Sequence, residues 1–191
     1  MPPSTETRAT LEDLYDVEGK AELIGGRIVH LMPSGDQPNE IGFDIGVSLR
    51  DYGRRRNRGF GRGDGLGFAV PELTSGRQTF MPDAFYFDGP RALNRMRFVQ
   101  GPPTFAVEVR SENDYGPSAE IAMAAKRADY FEAGTLAVWD VDPVAELIHL
   151  YRPDDPARPV TFARGSVADA EPAVPGWRIG VDDVFGPVAG A

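Results

Sequence analysis

Two acidic residues lie in apolar surroundings in which a carboxylate needs a partner. Asp83 follows Pro82 at the start of an aromatic run, and Glu108 is central in the apolar segment 104–110. A buried carboxylate is costly unless it is paired or binds a metal ion. Two carboxylates on neighbouring strands would suit Mg²⁺ or Mn²⁺, which prefer oxygen ligands. With a nearby cation, such a centre stabilises developing phosphoryl charge and orients a water molecule.

Each of these residues also has an ordinary interpretation. Pro-Asp is a common turn pair, which alone would explain Asp83. Because side chains alternate along a strand, Glu108 shares a face with Arg110, and the two could form a salt bridge in water. The order Pro-Asp followed by Glu-x-Arg favours the metal site over these alternatives.

Turn signals and apolar spacing predict the elements that must position these residues. Thr10 is a predicted N-cap, and Gly25-Gly26 is a predicted hairpin turn. The predicted helices span 11–15, 39–56, 118–133 with Ser118 as N-cap, and 181–185, and the predicted strands span 21–24, 27–31, 66–70, 78–81, 84–87, 104–110, 136–141, 146–151 and 160–163. This order indicates an α/β or α+β domain with a mixed β-sheet and an N-terminal β-hairpin.

Length and composition narrow the classes of protein. With 191 residues, 41% of them hydrophobic, we expect residues 1–9 to form a flexible tail and residues 10–187 a single domain. The absence of cysteine excludes disulfides, thiolate zinc sites and a cysteine nucleophile. No apolar run approaches the ~20 residues of a membrane helix, so we expect a cytoplasmic protein without a membrane partner.

The net charge of −9 first argues against a polyanionic partner, because phosphate binding uses Lys and Arg. Between positions 50 and 62, however, six arginines against one acid, Asp51, give a local charge of +5. Cations at a helix C-terminus complement the helix dipole, which is the simple explanation. The alternative is a phosphate-binding surface. Its candidate nucleic-acid-binding residues are Arg50, Arg54, Arg55, Arg56 and Arg58, with Arg62 in the same cluster and Arg91, Arg95 and Arg97 as a second patch.

The chain resembles the Uma2 family (DUF820), a branch of the PD-(D/E)xK nuclease superfamily described as putative restriction endonucleases. The resemblance extends from about Leu11 to Phe185 and depends on the order and spacing of several short motifs. They are Glu22-Leu-Ile-Gly-Gly-Arg-Ile-Val, Pro82-Asp83-Ala-Phe, Pro103-Thr-Phe-Ala-Val-Glu108-Val, Lys126-x-x-x-Tyr130-x-x-Ala-Gly134, Val138-Trp-Asp-Val-Asp-Pro143 and Val174-Pro-Gly-Trp-x-Ile.

This resemblance implies a restriction-endonuclease-like mixed sheet flanked by helices, a divalent metal and phosphodiester hydrolysis. It implies that Asp83 and Glu108 are metal ligands, that the carbonyl of Val109 contributes, and that Glu22 completes the metal shell. For Glu22, a surface carboxylate on the hairpin is an equally weighted alternative. The resemblance also suggests a homodimer, whose two-fold symmetry would suit a duplex substrate.

The chain departs from the superfamily pattern at the catalytic cation. The usual lysine, two residues after the acidic residue, is replaced by Arg110, which cannot act as a base but can clamp a phosphate. In most Uma2 relatives a helix lysine is thought to substitute, and Lys126 is the match here. Arg110 and Lys126 therefore compete for one catalytic role or share it.

We therefore expect a Mg²⁺- or Mn²⁺-dependent endonuclease that hydrolyses DNA, with Asp83, Glu108, Lys126 and Arg110 as the catalytic candidates. The alternative is a weak or inactive nuclease fold that acts as a nucleic-acid-binding or assembly module, and the replacement at Arg110 favours it. A glycosidase with paired carboxylates is disfavoured, because few aromatic residues and no sugar-platform motifs surround Asp83 and Glu108.

Overall fold

A computed structural model describes residues 8–91 and 94–187 of the chain. The helices are α1 (Leu11–Tyr15), α2 (Asp36–Arg56), α3 (Pro117–Ala133) and α4 (Val181–Phe185). The strands are β1 (Ala21–Ile24), β2 (Arg27–His30), β3 (Phe60–Gly63), β4 (Phe68–Ala69), β5 (Thr79–Phe80), β6 (Ala84–Phe87), β7 (Val99–Gln100), β8 (Phe105–Val109), β9 (Ala137–Asp142), β10 (Leu147–Tyr151), β11 (Val160–Ala163), β12 (Val167–Asp169) and β13 (Arg178–Gly180).

A six-stranded mixed sheet forms the centre of the fold, in the order β11-β10-β9-β8-β6-β3. Strands β8 and β9 are parallel, and α3 is the crossover between them, as a parallel pair requires. The other neighbours in this sheet are antiparallel. The predicted mixed sheet flanked by helices and the predicted β1–β2 hairpin are therefore confirmed.

Helix α2 covers one face of this sheet. Its buried residues Ile41, Ile45 and Leu49 have the spacing that predicts an amphipathic helix. A Cβ at Gly46 would lie only 2.2 Å from the backbone nitrogen of Gly63, so this glycine is needed for the close approach of α2 to β3. The helix therefore lies almost directly against the edge of the sheet.

The other face of the sheet carries a second apolar core. Alternation along β8 directs Val107 and Val109 toward α2, whereas Ala106 faces a cluster that includes Phe80, Phe85 and Tyr130. The hairpin joins this side, because the backbone nitrogen of Leu23 donates to the Thr79 hydroxyl at 2.7 Å. By the same alternation, Glu108 faces α3 and the hairpin rather than α2.

Several boundaries differ from those predicted from the sequence. Helix α3 begins at Pro117 after Gly116, not after Ser118, because proline is well tolerated in the first helical turn. The predicted strands 66–70 and 78–81 shorten to β4 and β5. The sequence did not predict β3, β7, β12 and β13, which are short and poor in alternating apolar residues.

The predicted tail lies partly outside the described residues, which begin at Arg8. The backbone nitrogen of Ala9 donates to the carbonyl of Gly26 at 2.8 Å, so this end of the tail touches the hairpin turn. Within residues 8–91 and 94–187, no helix combines the length and apolarity needed to cross a bilayer.

Candidate functional site

Two adjacent strands bring Asp83 and Glu108 together. Asp83 directly precedes β6, Glu108 lies in β8, and the two strands pair with Ala84 opposite Val107. The backbone nitrogen of Asp83 donates to the carbonyl of Val107 at 3.0 Å, and Asp83 Oδ2 accepts from the backbone nitrogen of Val109 at 2.7 Å. The backbone of β8 thus fixes the position of the Asp83 carboxylate.

Helix α3 supplies two partners to the Glu108 carboxylate. Lys126 Nζ donates to Glu108 Oε2 at 2.7 Å, and the hydroxyl of Tyr130 donates to Glu108 Oε1 at 2.6 Å. Residues four apart lie on one face of a helix, so Lys126 and Tyr130 reach the same carboxylate. The Tyr130 ring stacks on Phe80 at 4.2 Å between centroids, which fixes the hydroxyl in place.

Glu22 approaches the same cation from the hairpin. It is 2% exposed, its Oε1 accepts from the backbone nitrogen of Met81 at 3.0 Å, and this oxygen lies 3.9 Å from Lys126 Nζ. Its Oε2 pairs with Arg77, whose Nε in turn donates to Asp129 Oδ2 at 2.8 Å. Glu22 is therefore a buried member of the site and not a surface carboxylate. We call Asp83, Glu108, Glu22 and Lys126 the carboxylate centre.

The carboxylate centre carries more negative than positive charge. Burial first, and then the charge of Glu108, raise the pKa of Asp83 to about 7, against the lowering effects of the bond from Val109 and the charge of Lys126. Burial alone would lower the pKa of Lys126, but the charges of Glu108 and Glu22 raise it above its usual value. Burial, with the charge of Glu108, also raises the pKa of Tyr130, so its hydroxyl stays protonated and donates.

The structure places Arg110 beside this centre but commits its guanidinium to other acids. Arg110 Nε and Nη2 donate to the two oxygens of Asp140 at 2.8 and 2.9 Å, and Arg110 also pairs with Glu120. Asp140 is fully buried and accepts a further bond, at 2.9 Å, from Arg127. The salt bridge between Glu108 and Arg110 that strand alternation alone allowed is replaced by these contacts.

A cavity of about 410 Å³ opens beside the carboxylate centre. Glu22, Glu108 and Lys126 form part of its lining, with apolar walls that include Val29 and Met123. The cavity has the size typical of ligand sites, with a few convergent polar groups between apolar walls.

Comparison with known proteins identifies the family and the fold of the chain. The family model Uma2, described as "putative restriction endonuclease", matches residues 9–182. The chain belongs to the Uma2 family. A crystal structure of a "putative nuclease" of DUF820 from Anabaena variabilis has the same fold, with a TM-score of 0.69 and 17% identity over 92% of this chain and 97% of that chain. No curated protein matches the chain.

A divalent metal would fit this Uma2 centre through oxygen ligands. Within the described part of the chain, no group of three or more acidic, histidine or cysteine side chains is arranged to hold a metal ion. The set that the family resemblance implies is instead Asp83, Glu108 and the carbonyl of Val109. Mg²⁺ retains several waters and needs only one or two carboxylates, so this set and the excess negative charge suit it.

The structure places Arg58 of this Uma2 chain at the far end of β6 from Asp83, whereas Arg62 in β3 lies opposite Phe85, two residues beyond Asp83. Arg58 Nε donates to Asp88 Oδ1 at 2.8 Å, and Asp88 follows the last residue of β6. Five residues at a rise of about 3.4 Å give roughly 17 Å along the strand from Asp83 to Asp88. Arg50 lies 3.7 Å from Asp51, Arg54 and Arg55 are exposed, and Arg56 donates to Tyr52 and to the carbonyl of Pro175.

Sequence reasoning did not assign roles to Arg77 and Asp129. They connect the hairpin, β5 and α3, which are distant in sequence, so no local pattern joins them. The one available signal was helical spacing, because Asp129 and Tyr130 lie three and four residues after Lys126 on α3.

Proposed function

We propose that this Uma2 protein is a Mg²⁺- or Mn²⁺-dependent endonuclease that hydrolyses phosphodiester bonds in DNA. The single observation that carries the proposal is that two paired strands hold Asp83 and Glu108 side by side, with Lys126 of α3 bound to Glu108. Membership in a family described as putative restriction endonucleases supports the same reaction class.

In this proposal, Asp83, Glu108 and the Val109 carbonyl hold the metal ion. When bound, the ion would supply Lewis-acid stabilisation of phosphoryl charge and lower the pKa of a water molecule. Asp83 is oriented by its bond from Val109, and Glu108 by Tyr130. Lys126 carries a positive charge beside Glu108, where it would stabilise the charge that develops on the phosphoryl oxygens.

We assign the catalytic cation to Lys126 and not to Arg110. Lys126 contacts Glu108 directly, whereas Arg110 is bound on one side to buried Asp140 and on the other to Glu120. Freeing Arg110 to clamp a phosphate would leave the fully buried carboxylate of Asp140 without its bidentate partner, which is costly. Arg110 is therefore proposed as a residue that fixes the end of β8. Glu22, which the family resemblance implied as a metal ligand, is proposed instead to orient Lys126, since its Oε1 lies 3.9 Å from Lys126 Nζ and its carboxylate is fixed by Arg77 and the backbone of Met81.

Cleavage of labelled DNA by purified variants tests the proposal. With Mg²⁺ or Mn²⁺, we expect Asp83→Asn and Glu108→Gln to lower the rate by a factor on the order of 10³ or more. Lys126→Met should lower the rate strongly as well, and Asp155→Asn, a half-exposed acid on a loop, should leave it unchanged. The proposal fails if the metal-loaded wild type and both carboxylate variants are equally inert on a broad panel of DNA substrates.

A second candidate, a nucleic-acid-binding or assembly module without chemistry, is favoured by one observation. Both carboxylate oxygens of Glu108 and both of Glu22 already accept hydrogen bonds, so the acids have partners without a metal. Calorimetric titration with Mg²⁺ and Mn²⁺ separates the two candidates. No metal binding near millimolar concentration, with DNA binding retained, would select the module.

The homodimer remains a prediction for either candidate. Light scattering coupled to size-exclusion chromatography measures the mass in solution directly, and a monomeric mass would contradict it.

A further inference from the structure

A depression of about 460 Å³ lies where the C-terminal end of α2 meets β3. Among the described residues, its lining contains five arginines, Arg50, Arg54, Arg58, Arg62 and Arg91, and no acidic residue. We call it the arginine depression. It joins the cluster between positions 50 and 62 to Arg91, which is distant in sequence. Arg55 and Arg56, which belong to the same run in sequence, are not part of its lining.

The cations of the arginine depression are poorly neutralised. Arg58 pairs with Asp88 at 2.8 Å and Arg50 lies 3.7 Å from Asp51. Within residues 8–91 and 94–187, the other three lining arginines, Arg54, Arg62 and Arg91, form no ion pair. Like charges held together without counter-charges favour the binding of an anion.

Two of these guanidinium groups share one aromatic ring. Arg91 lies 4.3 Å and Arg62 lies 5.5 Å from the centroid of Phe60, which is itself 9% exposed. The ring holds both cations in place while leaving their N–H groups available, since cation–π contact uses the face of the ring. Burial and the charges of Arg95 and Arg62 lower the pKa of Arg91, as expected where cations crowd together.

The depression extends along β6 away from the carboxylate centre, from Arg62, which lies opposite Phe85 two residues beyond Asp83, to Arg58. Asp88, which pairs with Arg58, lies roughly 17 Å along the strand from Asp83. Double-stranded DNA carries one phosphate charge per about 1.7 Å of its axis. A duplex therefore presents phosphates to both places at once, whereas a mononucleotide cannot.

We propose that the arginine depression binds the phosphate backbone of DNA at a position remote from the bond that is cleaved. The inference rests on the proposed function for the identity of the polyanion, and it adds a second contact region formed by Arg54, Arg62 and Arg91 around Phe60. This region positions the duplex and reads no base sequence, because phosphate contacts carry no sequence information directly.

Fluorescence anisotropy with a labelled duplex of about 20 base pairs tests this, in an Asp83→Asn background so that no cleavage occurs. We expect Arg54→Gln, Arg62→Gln and Arg91→Gln each to weaken binding several-fold, equally for unrelated sequences. Each should also reduce the slope of log Kobs against log salt concentration by about 0.9.

Two comparison variants distinguish the depression from diffuse charge. Arg158→Gln removes the same charge on an 85% exposed side chain in the loop after β10, and it should leave affinity and slope unchanged. Arg55→Gln neighbours Arg54 in sequence but lies outside the lining, so its effect should be at least threefold smaller than that of Arg54→Gln. Equal effects of Arg54→Gln and Arg55→Gln, or no effect of the three lining variants, would overturn the inference.

Titration with pyrophosphate separates DNA from a small phosphate compound. If pyrophosphate binds the wild type tightly while Arg54→Gln leaves DNA binding intact, the DNA assignment is wrong. The outcome is also independent of the nuclease proposal. If the wild type cleaves DNA through Asp83 and Glu108 but the lining variants bind DNA like the wild type, only the proposal for the depression is rejected. If the protein does not cleave DNA but the lining variants lose DNA affinity, only the nuclease proposal is rejected.

Discussion

The charged side chains of the carboxylate centre are buried or half-buried and paired, whereas several of those in the arginine depression are exposed and, in the part of the chain that the structure describes, unpaired. In the centre, Glu22 is 2% exposed, and its partner Arg77 is 8% exposed. Every buried polar side-chain atom among the described residues has a hydrogen-bond partner. In the depression, Arg54 and Arg62 are exposed and have no ion-pair partner in the described chain.

Solvent explains the contrast. An unpaired charge in a buried site is strongly destabilising, so the charges of the centre must come with partners supplied by several elements. At the surface, water solvates each guanidinium and no partner is needed. We therefore expect substitutions in the centre to change the free energy of unfolding, and substitutions in the depression to change DNA affinity instead.

The largest expected effect on stability follows from Arg77→Met. The substitution leaves Glu22 and Asp129 without their buried cation, and breaking such a pair costs about 3–5 kcal/mol. Urea unfolding monitored by circular dichroism measures the change. Arg97→Met is the matched control, because Arg97 pairs with Glu12 at 2.8 Å on the surface and should cost less than about 1 kcal/mol. Equal losses in the two variants would contradict the contrast.

Tyr130→Phe is expected to have the next largest effect. It removes the donor to Glu108 Oε1, and a hydrogen bond to a charged group contributes about 1.5–3 kcal/mol. Because Tyr130 orients Glu108, the variant should also weaken Mn²⁺ binding in a calorimetric titration. Tyr115→Phe removes a similar bond, at 2.9 Å to Asp142, and should leave Mn²⁺ affinity unchanged. If both variants bind Mn²⁺ like the wild type, Tyr130 does not orient the ligand.

The strand patterns predict the strands that carry the two acids, and the family resemblance implied that these acids meet. Alternation in 104–110 fixes the side of the sheet on which Glu108 projects, and Pro82-Asp83 marks the start of the neighbouring strand. Helical spacing likewise predicts that Lys126 and Tyr130 share one face. The mixed sheet and the hairpin follow from the same periodicities.

What the sequence could not predict depends on contacts between distant segments. The bonds of Arg77 to Glu22 and Asp129 join three elements, and Arg91 meets the cluster around Arg54 only after the chain has folded. Strand β3 was missed because its glycines have low strand propensity. Packing decides there instead, since a Cβ at Gly61 would lie 2.4 Å from the Leu49 Cβ on α2.

The pH dependence of stability tests the burial of Asp83 in the centre and the effect of the Glu108 charge on it. In the folded protein Asp83 keeps its proton up to a pKa of about 7, whereas the unfolded chain loses it near 3.8. Between these values the folded state binds more protons, so the metal-free wild type loses stability as pH rises, and the loss is complete above about pH 7. Asp83→Asn has no such titrating proton. Its free energy of unfolding, measured with urea in the presence of a chelator, should therefore increase relative to that of the wild type from pH 4 to 8. Parallel profiles for the two proteins would contradict the raised pKa of Asp83.

The smallest expected effect concerns the crowded cations of the depression. Arg91 is stabilised by the ring of Phe60 and opposed by the charges of Arg95 and Arg62. Salt screens the repulsion between exposed charges, because the Debye length falls from about 10 Å at 0.1 M to about 3 Å at 1 M. Raising the salt concentration should therefore stabilise the wild type relative to Arg91→Gln by a few tenths of a kcal/mol.

The control for this measurement has the opposite sign. Arg158 lies 2.9 Å from Asp155, and salt weakens this favourable contact. Raising the salt concentration should therefore destabilise the wild type relative to Arg158→Gln. Urea unfolding at low and high salt compares the two pairs of proteins. If both differences move in the same direction, Arg91 does not experience net repulsion. The arginines of the depression would then favour anion binding no more than other exposed arginines do.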